Sequence, residues 1–330
     1  MQGTDHLSGK RLRFFVGLNT GYVMDGRPDA RYVEFYRRRS SPELHCAIVG
    51  NVVIPNGHRS NTSTPIISNA SEWSSVASGI AAGGSLPGIQ LATAWEGYTG
   101  SRSFRSRSAS ETIARSRDVI RKLGADGIST TFAALGDATS LAIDAGFRHL
   151  QIHAAHGYLF SLLVDDRIND RAAEILDRLA AWSKKHSSNE LETSIRISLR
   201  TGDAIFDESG SERFHAQVAS LPFDFVDVSS GFYNIDKQLI YPGRHDTLRD
   251  RRAETIALAN RFPDKSFIFS GRALLEPEAS LPENLHIGLC RDLIANPDYL
   301  QAPATGCTNS GKCHYFSRGD SHITCPNWLV

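Results

Sequence analysis

The chain has 330 residues, with 36 Lys plus Arg against 36 Asp plus Glu and 41 % hydrophobic residues. This length fits one large α/β domain or two ordinary ones, and the apolar fraction can fill a core. A net charge of zero gives no electrostatic case for nucleic acid or an anionic membrane as partner, and five cysteines do not make a disulfide scaffold. No apolar run approaches the ~18 residues that span a bilayer. The first residues lack the apolar segment of a signal peptide. The expectation is therefore a soluble cytoplasmic protein with reduced thiols, acting on a small molecule and leaving a homo-oligomer open.

Short β-rich runs recur along the chain: LRFFVGL (12–18), LHCAIVG (44–50), GIQLAT (88–93), HLQI (149–152), SIRISL (194–199), FDFVDV (223–228), SFIFS (266–270) and LHIGL (285–289). Helical spacing appears between them in DATSLAIDAGF (137–147), RAAEILDRLAAWSKK (171–185) and RAETIALANRF (252–262). Strands alternating with helices predict a parallel sheet, and eight of them predict a closed (β/α)8 TIM barrel. The barrel is expected over residues 1–303, followed by a short Cys-containing tail over 304–330 that packs on it.

The ends of the runs are polar. Asn19 and Thr20 follow the first, Asn51 the second, His153 the fourth, Arg200 the fifth and Ser229 the sixth. Gly271 and Arg272 follow the seventh, and Arg291 the eighth. In a barrel these ends share one face, where active sites are built. No strand is followed by G-x-G-x-x-G or by a P-loop, which argues against those nucleotide sites.

LQIHAAHGYLFS (150–161) is the densest chemical signal, with His153, His156 and Tyr158 at the end of an apolar run. Two histidines three apart are by themselves more often structural, and a zinc pair would need an acidic third ligand that is not beside them. The whole stretch GFRHLQIHAAHGYL resembles the central motif of the old yellow enzyme family, the FMN-dependent ene-reductases. The resemblance continues in order through VGLNTGYVMDGRPDARYVEFYRRR, GIQL, IRISL, FVDVSSG, FIFSGR and LCRDLIANPDYL.

The resemblance implies FMN as cofactor and NAD(P)H as reductant. By it, Gln90 would bond the pyrimidine edge of the flavin, and Arg196 would stabilise the charge that collects at N1 and O2 on reduction. Gly271, Arg272 and Arg291 would hold the phosphate, and Asn19 falls where the family touches flavin O4. His153 and His156 would hold the oxygen of an α,β-unsaturated carbonyl compound, whose β-carbon accepts hydride. Tyr158 matches the proton donor to the α-carbon. Taken alone, Gln90 is equally a strand polar cap, and Arg196 half of a buried ion pair with Asp227.

Three departures stand out. The third strand continues as ATAWEGYTG, so Trp95 and Tyr98 are expected to line the substrate pocket. The segment FSLLVDDRINDRAAEIL after the central motif runs almost directly into a helix. Cys307, Cys313 and Cys325 sit where longer members carry iron–sulphur ligands, but Ser310 takes the fourth slot, so no metal is expected. A zinc site from these cysteines with His314 or His322 is the alternative. The Arg- and Ser-rich segment 100–117 reads as a solvated loop overhanging the site. The expected activity is NAD(P)H-dependent reduction of an activated C=C bond. A specialised oxidase, desaturase or isomerase on the same scaffold is the alternative, and a barrel that has lost activity is a third reading.

Overall fold

A computed structural model describes residues 11–98, 108–275 and 277–329. Strand β1 (Arg13–Phe15) leads through a hairpin, β2 (Val23–Met24) and β3 (Arg27–Pro28), into helix α1 (Ala30–Arg37). Next come β4 (Cys46–Val53), α2 (Ser71–Ala82), β5 (Leu86–Ala92), α3 (Ala109–Asp144) and β6 (His149–Ala154). They are followed by α4 (Leu159–Leu163), α5 (Ala172–His186), β7 (Glu192–Ser198), α6 (Ala204–Glu208), α7 (Ser211–Ala219) and β8 (Phe225–Ser229). The last elements are α8 (Lys237–Ile240), α9 (His245–Arg261), β9 (Ser266–Phe269), β10 (Leu285–Leu289), α10 (Arg291–Ala295) and α11 (Tyr315–Arg318). Strands β1, β10, β9, β8, β7, β6, β5 and β4 close in that order into a parallel barrel. All eight apolar runs became its staves, and helices lie between them.

Capping and burial explain the helix boundaries. Asp29 accepts hydrogen bonds from the Arg31 and Tyr32 amides and starts α1, which buries Tyr32, Phe35 and Tyr36. Ser108 and Glu111 form a reciprocal capping box at the start of α3. The segment expected as a solvated loop is therefore helical from Ala109 onward. There Arg115 donates to the Gly97 carbonyl, and Arg117 donates to that of Arg167. Residues 99–107, with Arg102, Arg105 and Arg107, lie outside the described residues. The helix expected over 137–147 is the second half of α3, which breaks direction at Gly124 (φ 61°).

Strand alternation divides the lumen. On β1, Leu12, Phe14 and Val16 point inward and pack with Cys46, Ile48, Phe225 and Ile268. Phe15 points outward onto Phe35 and Tyr36. On β6 and β7 the inward positions are polar instead. Gln151 joins Gln90, Ser194 and Asp227 by hydrogen bonds of 2.5, 3.1 and 3.2 Å. At the N-terminal floor, Glu192 accepts from His45 at 2.8 Å and from His149 at 2.9 Å.

The tail does more than pack on the barrel. A 3-10 turn, Pro303–Thr305, carries the chain across the expected boundary. Beyond it the Cys307 amide donates to Asp292, the Ile323 amide to the Thr20 carbonyl, and the Trp328 indole to the Ile294 carbonyl. Gly21 (φ 73°) lies so close beneath that a Cβ there would strike the Ser321 carbonyl and His322. The tail is thus tied down over the C-terminal mouth. No helix among the described residues is long and apolar enough to cross a membrane.

Candidate active site

A cavity opens at the C-terminal mouth, where the ends of the strands meet. Of the residues singled out in the sequence, Asn19, Gln90, Tyr98, His153, His156, Tyr158, Arg196, Gly271, Arg272 and Arg291 all line it. Trp95 does not. Its indole N–H donates to the Gly157 carbonyl at 3.2 Å, and the Arg115 guanidinium covers its ring, so it buttresses the wall from behind. The reason is local. Trp95 and Tyr98 meet edge to face at 5.2 Å, and the tyrosine takes the cavity side.

The β6 end builds the polar centre. His153 is the last inward position of the strand. His156 then takes the left-handed conformation (φ 64°), followed by Gly157 (φ 79°), and the turn carries its ring back to the mouth. The Ser198 hydroxyl accepts the His156 amide, and the His156 carbonyl accepts the Tyr233 amide. The two imidazole centroids end 5.2 Å apart, and the Tyr158 ring stands edge-on to His153 at 4.8 Å. Burial, reinforced by Arg196, holds both imidazoles well below their usual pKa. They are neutral near pH 7, and the buried Nδ1 of His153 has no partner among the described residues. Burial likewise raises the Tyr158 phenol, which keeps its proton.

Beside these groups the cavity is cationic, for Arg196 stands next to His153 on the neighbouring strand. Arg196 pairs with Asp227 at 2.5 Å while lining the cavity. Asp227 also accepts from Gln151 and Ser270. Arg272 reaches the Cys307 carbonyl, and Arg291 reaches Asn309 and the Pro242 carbonyl. Asn19 donates to Thr64 across the mouth and accepts the Gly21 amide within its own turn.

Sequence reasoning missed Arg251, which enters from α9 and is 4 % exposed. It donates to the carbonyls of Leu239 and Val228 and leaves its Nε unpartnered. Burial, with Arg196 and Arg291 nearby, lowers its pKa to about 9 despite Asp227. A Cβ at Gly271 (φ 105°) would press on this guanidinium at 3.0 Å. No sequence pattern marks an arginine that a helix turns inward. Also missed were Tyr233 and Tyr241, whose hydroxyls meet at 2.5 Å, and the tail wall formed by Cys313, His314 and Tyr315. Only the excess of aromatics in FYNIDKQLIY hinted at the former. Cys307, Cys313 and Cys325 are free and partly buried, and no metal-ligating group of His, Cys, Asp or Glu forms among the described residues.

Residues 13–176 match the NADH:flavin oxidoreductase / NADH oxidase family. Over 130 residues, 37 % of the chain, the sequence is 31 % identical to 12-oxophytodienoate reductase 1 of Oryza sativa subsp. japonica, covering 30 % of that protein. Over 201 residues, 54 % of the chain, it is 23 % identical to the NADH-dependent flavin oxidoreductase iliE of Hypocrea jecorina (strain QM6a), covering 49 % of it. The chain thus spans about a third to a half of these curated relatives. The matched half carries β1 through β6 and the His153–Tyr158 turn, and together with the parallel barrel it shows that the chain belongs to the NADH:flavin oxidoreductase family that includes the old yellow enzymes.

Proposed function

We propose that the chain is an FMN-dependent oxidoreductase that uses NAD(P)H to reduce the activated C=C bond of an α,β-unsaturated carbonyl compound. One observation carries this reading: a single cavity joins an arginine-lined end to two neutral imidazoles beside a protonated phenol. The names of the relatives, an oxophytodienoate reductase and an NADH-dependent flavin oxidoreductase, point the same way.

The donor set fits FMN. Arg196, Arg251, Arg272 and Arg291 line the cavity, and the Nε atoms of Arg251 and Arg272 are buried without partners. Such cations call for an anion. Arg272, Arg291 and Gly271 would hold the phosphate, Gln90 the pyrimidine edge, and Arg196 the side of the ring that gains negative charge. Gln90 gives one of its two Nε2 hydrogens to Gln151, which leaves the other to donate and its carbonyl oxygen to accept. When bound, FMN supplies the hydride chemistry.

The chain's own residues do the rest. His153 and His156 offer N–H groups to the substrate carbonyl oxygen and stabilise the charge that develops there. A donor of this kind typically contributes ~3 kcal/mol. Being neutral, the imidazoles polarise the oxygen without surrendering a proton to it. Tyr158 holds a proton that burial keeps in place until a strongly basic carbon forms beside it, and gives it to the α-carbon. Tyr98, Tyr158 and Tyr233 wall the space, with Tyr98 edge-on to Tyr158 at 5.3 Å and Tyr233 stacked on it at 6.1 Å. They favour a flat substrate and exclude water.

The test begins with colour. The purified protein should be yellow, and denaturation should release FMN. Stoichiometric FAD, or a colourless protein that will not take up FMN, would overturn the reading. NADH or NADPH should then be consumed in proportion to added cyclic enone under anaerobic conditions. Oxygen uptake with a saturated ketone in the absence of NAD(P)H would instead support the oxidase or desaturase.

A further inference from the structure

We propose that Ser229 is a positioning residue that locks His156 in its Nδ1–H tautomer, so that Nδ1–H is the donor this ring offers to a bound oxyanion. The second clause rests on the function proposed above. The first stands on hydrogen-bond geometry, with burial in support.

Ser229 ends β8 and is 1 % exposed. Its hydroxyl has three neighbours: His156 Nε2 at 2.7 Å, Arg196 Nη2 at 3.3 Å and Arg251 Nη2 at 3.4 Å. A guanidinium only donates, and a hydroxyl has one hydrogen and two acceptor sites. The two arginines therefore fill the acceptor sites, and the hydroxyl hydrogen is left for the nearest neighbour, His156 Nε2. An Nε2 that accepts carries no hydrogen. Burial and the charges of Arg196 and Arg251 keep the ring neutral, so its single hydrogen sits on Nδ1. That nitrogen takes no hydrogen bond among the described residues and belongs to a ring that lines the cavity. The backbone holds the ring in this pose, because the His156 amide and carbonyl are both bonded, to Ser198 and Tyr233.

The arrangement explains why two buried arginines converge on one serine. With one arginine, the hydroxyl would keep a free acceptor site, and His156 could donate to it through Nε2. Its Nδ1 would then face the cavity as an acceptor and would repel an oxyanion. With both arginines in place that tautomer has nowhere to donate. Arg251, which has no assigned role in holding the phosphate end, gains one here.

The test is a nitrogen spectrum of the purified flavoprotein labelled with ¹⁵N-histidine, with the His156 signals assigned by their loss in His156→Asn. A pyridine-type Nε2 and a pyrrole-type Nδ1 are expected, and a pyrrole-type Nε2 in the wild-type protein overturns the proposal. In Ser229→Ala the two signals should move toward each other, and the affinity for 4-hydroxybenzaldehyde, added as the phenolate, should fall about 10- to 100-fold, as for one hydrogen bond to a charged group. Ser229→Thr keeps the hydroxyl and should restore both. Unchanged signals and affinity in a folded Ser229→Ala overturn the proposal, whereas the wild-type spectrum decides even where a variant does not fold. The expected tautomer in a protein that binds no phenolate would uphold the lock and overturn the proposed function.

Discussion

Histidines stand at both ends of the barrel lumen, and the two sets are wired differently. At the floor, His149 has both ring nitrogens engaged, by Glu192 at 2.9 Å and by Ser194 at 2.7 Å, and His45 shares the same carboxylate. At the mouth, His153 Nδ1 is buried with no partner among the described residues, and the nearby carboxylate, Asp227, is already taken by Arg196, Gln151 and Ser270. Buried polar groups are nearly always satisfied, so a satisfied set reads as scaffold and an open one as a place kept for a ligand. The same residue type at the two ends of one strand thus does opposite work. His149 has both ring nitrogens committed to the barrel floor, and His153 keeps one without a partner among the described residues.

Substitutions should separate the ends. The largest effect is expected at the mouth. Tyr158→Phe should slow oxidation of the reduced flavin by an enone about 10²–10⁴-fold, the usual contribution of a general acid, while leaving flavin reduction and phenolate binding nearly unchanged. Stopped-flow measurement of the two half-reactions separately would show this. Equal small effects on both would make the tyrosine a wall and nothing more.

Next in size, His153→Ala should weaken phenolate binding to the oxidised flavoprotein about 10²-fold, the loss of one preorganised donor, with little change in thermal midpoint. His149→Ala at the floor should do the reverse. It takes one partner each from Glu192 and Ser194, leaves a cavity in the lumen and should cost about 2–4 kcal/mol of stability, read by urea unfolding, with the phenolate affinity of the folded protein unchanged. A ligand effect at the floor equal to that at the mouth would erase the distinction.

The smallest effects are those of pH, and they too differ by end. His153 and His156 have pKa values depressed in the folded state, so below about 6.5 the unfolded chain binds the extra protons and stability falls with pH. Each such histidine can contribute up to ~1.4 kcal/mol per pH unit. At the floor, burial would raise Glu192, but the hydrogen bonds of His149 and His45 prevail and lower it to about 2. Its contribution is therefore complete above the ordinary carboxylate pKa near 4.5 and is lost as pH falls toward 2. Urea melts from pH 8 to 3 should show a shallower slope near pH 6 in His153→Gln, and in Glu192→Gln a change confined to the range below 4.5.

The barrel was legible because it is written in a period the eye can count. Eight apolar runs, each ending in a polar residue, fixed the strands to within a few positions, and the His153, His156 and Tyr158 turn stood out against one of them. What stayed hidden was whatever depends on the third dimension. Arg251 lies among the charges of RDRRAETIALANRF, and only the rotation of α9 buries it. Trp95 and Tyr98 are three apart and equally aromatic, and packing alone assigns one to the wall and the other to the buttress. The arginines at 115 and 117 read as a solvated run because the Ser108–Glu111 capping box, which starts their helix, lies within a serine-rich stretch that hides it.

The tail has a consequence in time. Cys313 to Ser317 line the same cavity as Val16 to Asn19, from the opposite end of the sequence. Domains take shape as the chain leaves the ribosome, beginning with its earliest residues. Here the early strands cannot present a finished pocket, because one wall has not yet been made. The protein must wait until Cys313 to Ser317 have been made before it can grip a cofactor, and any truncation or bulky insertion that unseats this wall should yield a barrel that folds and stays pale.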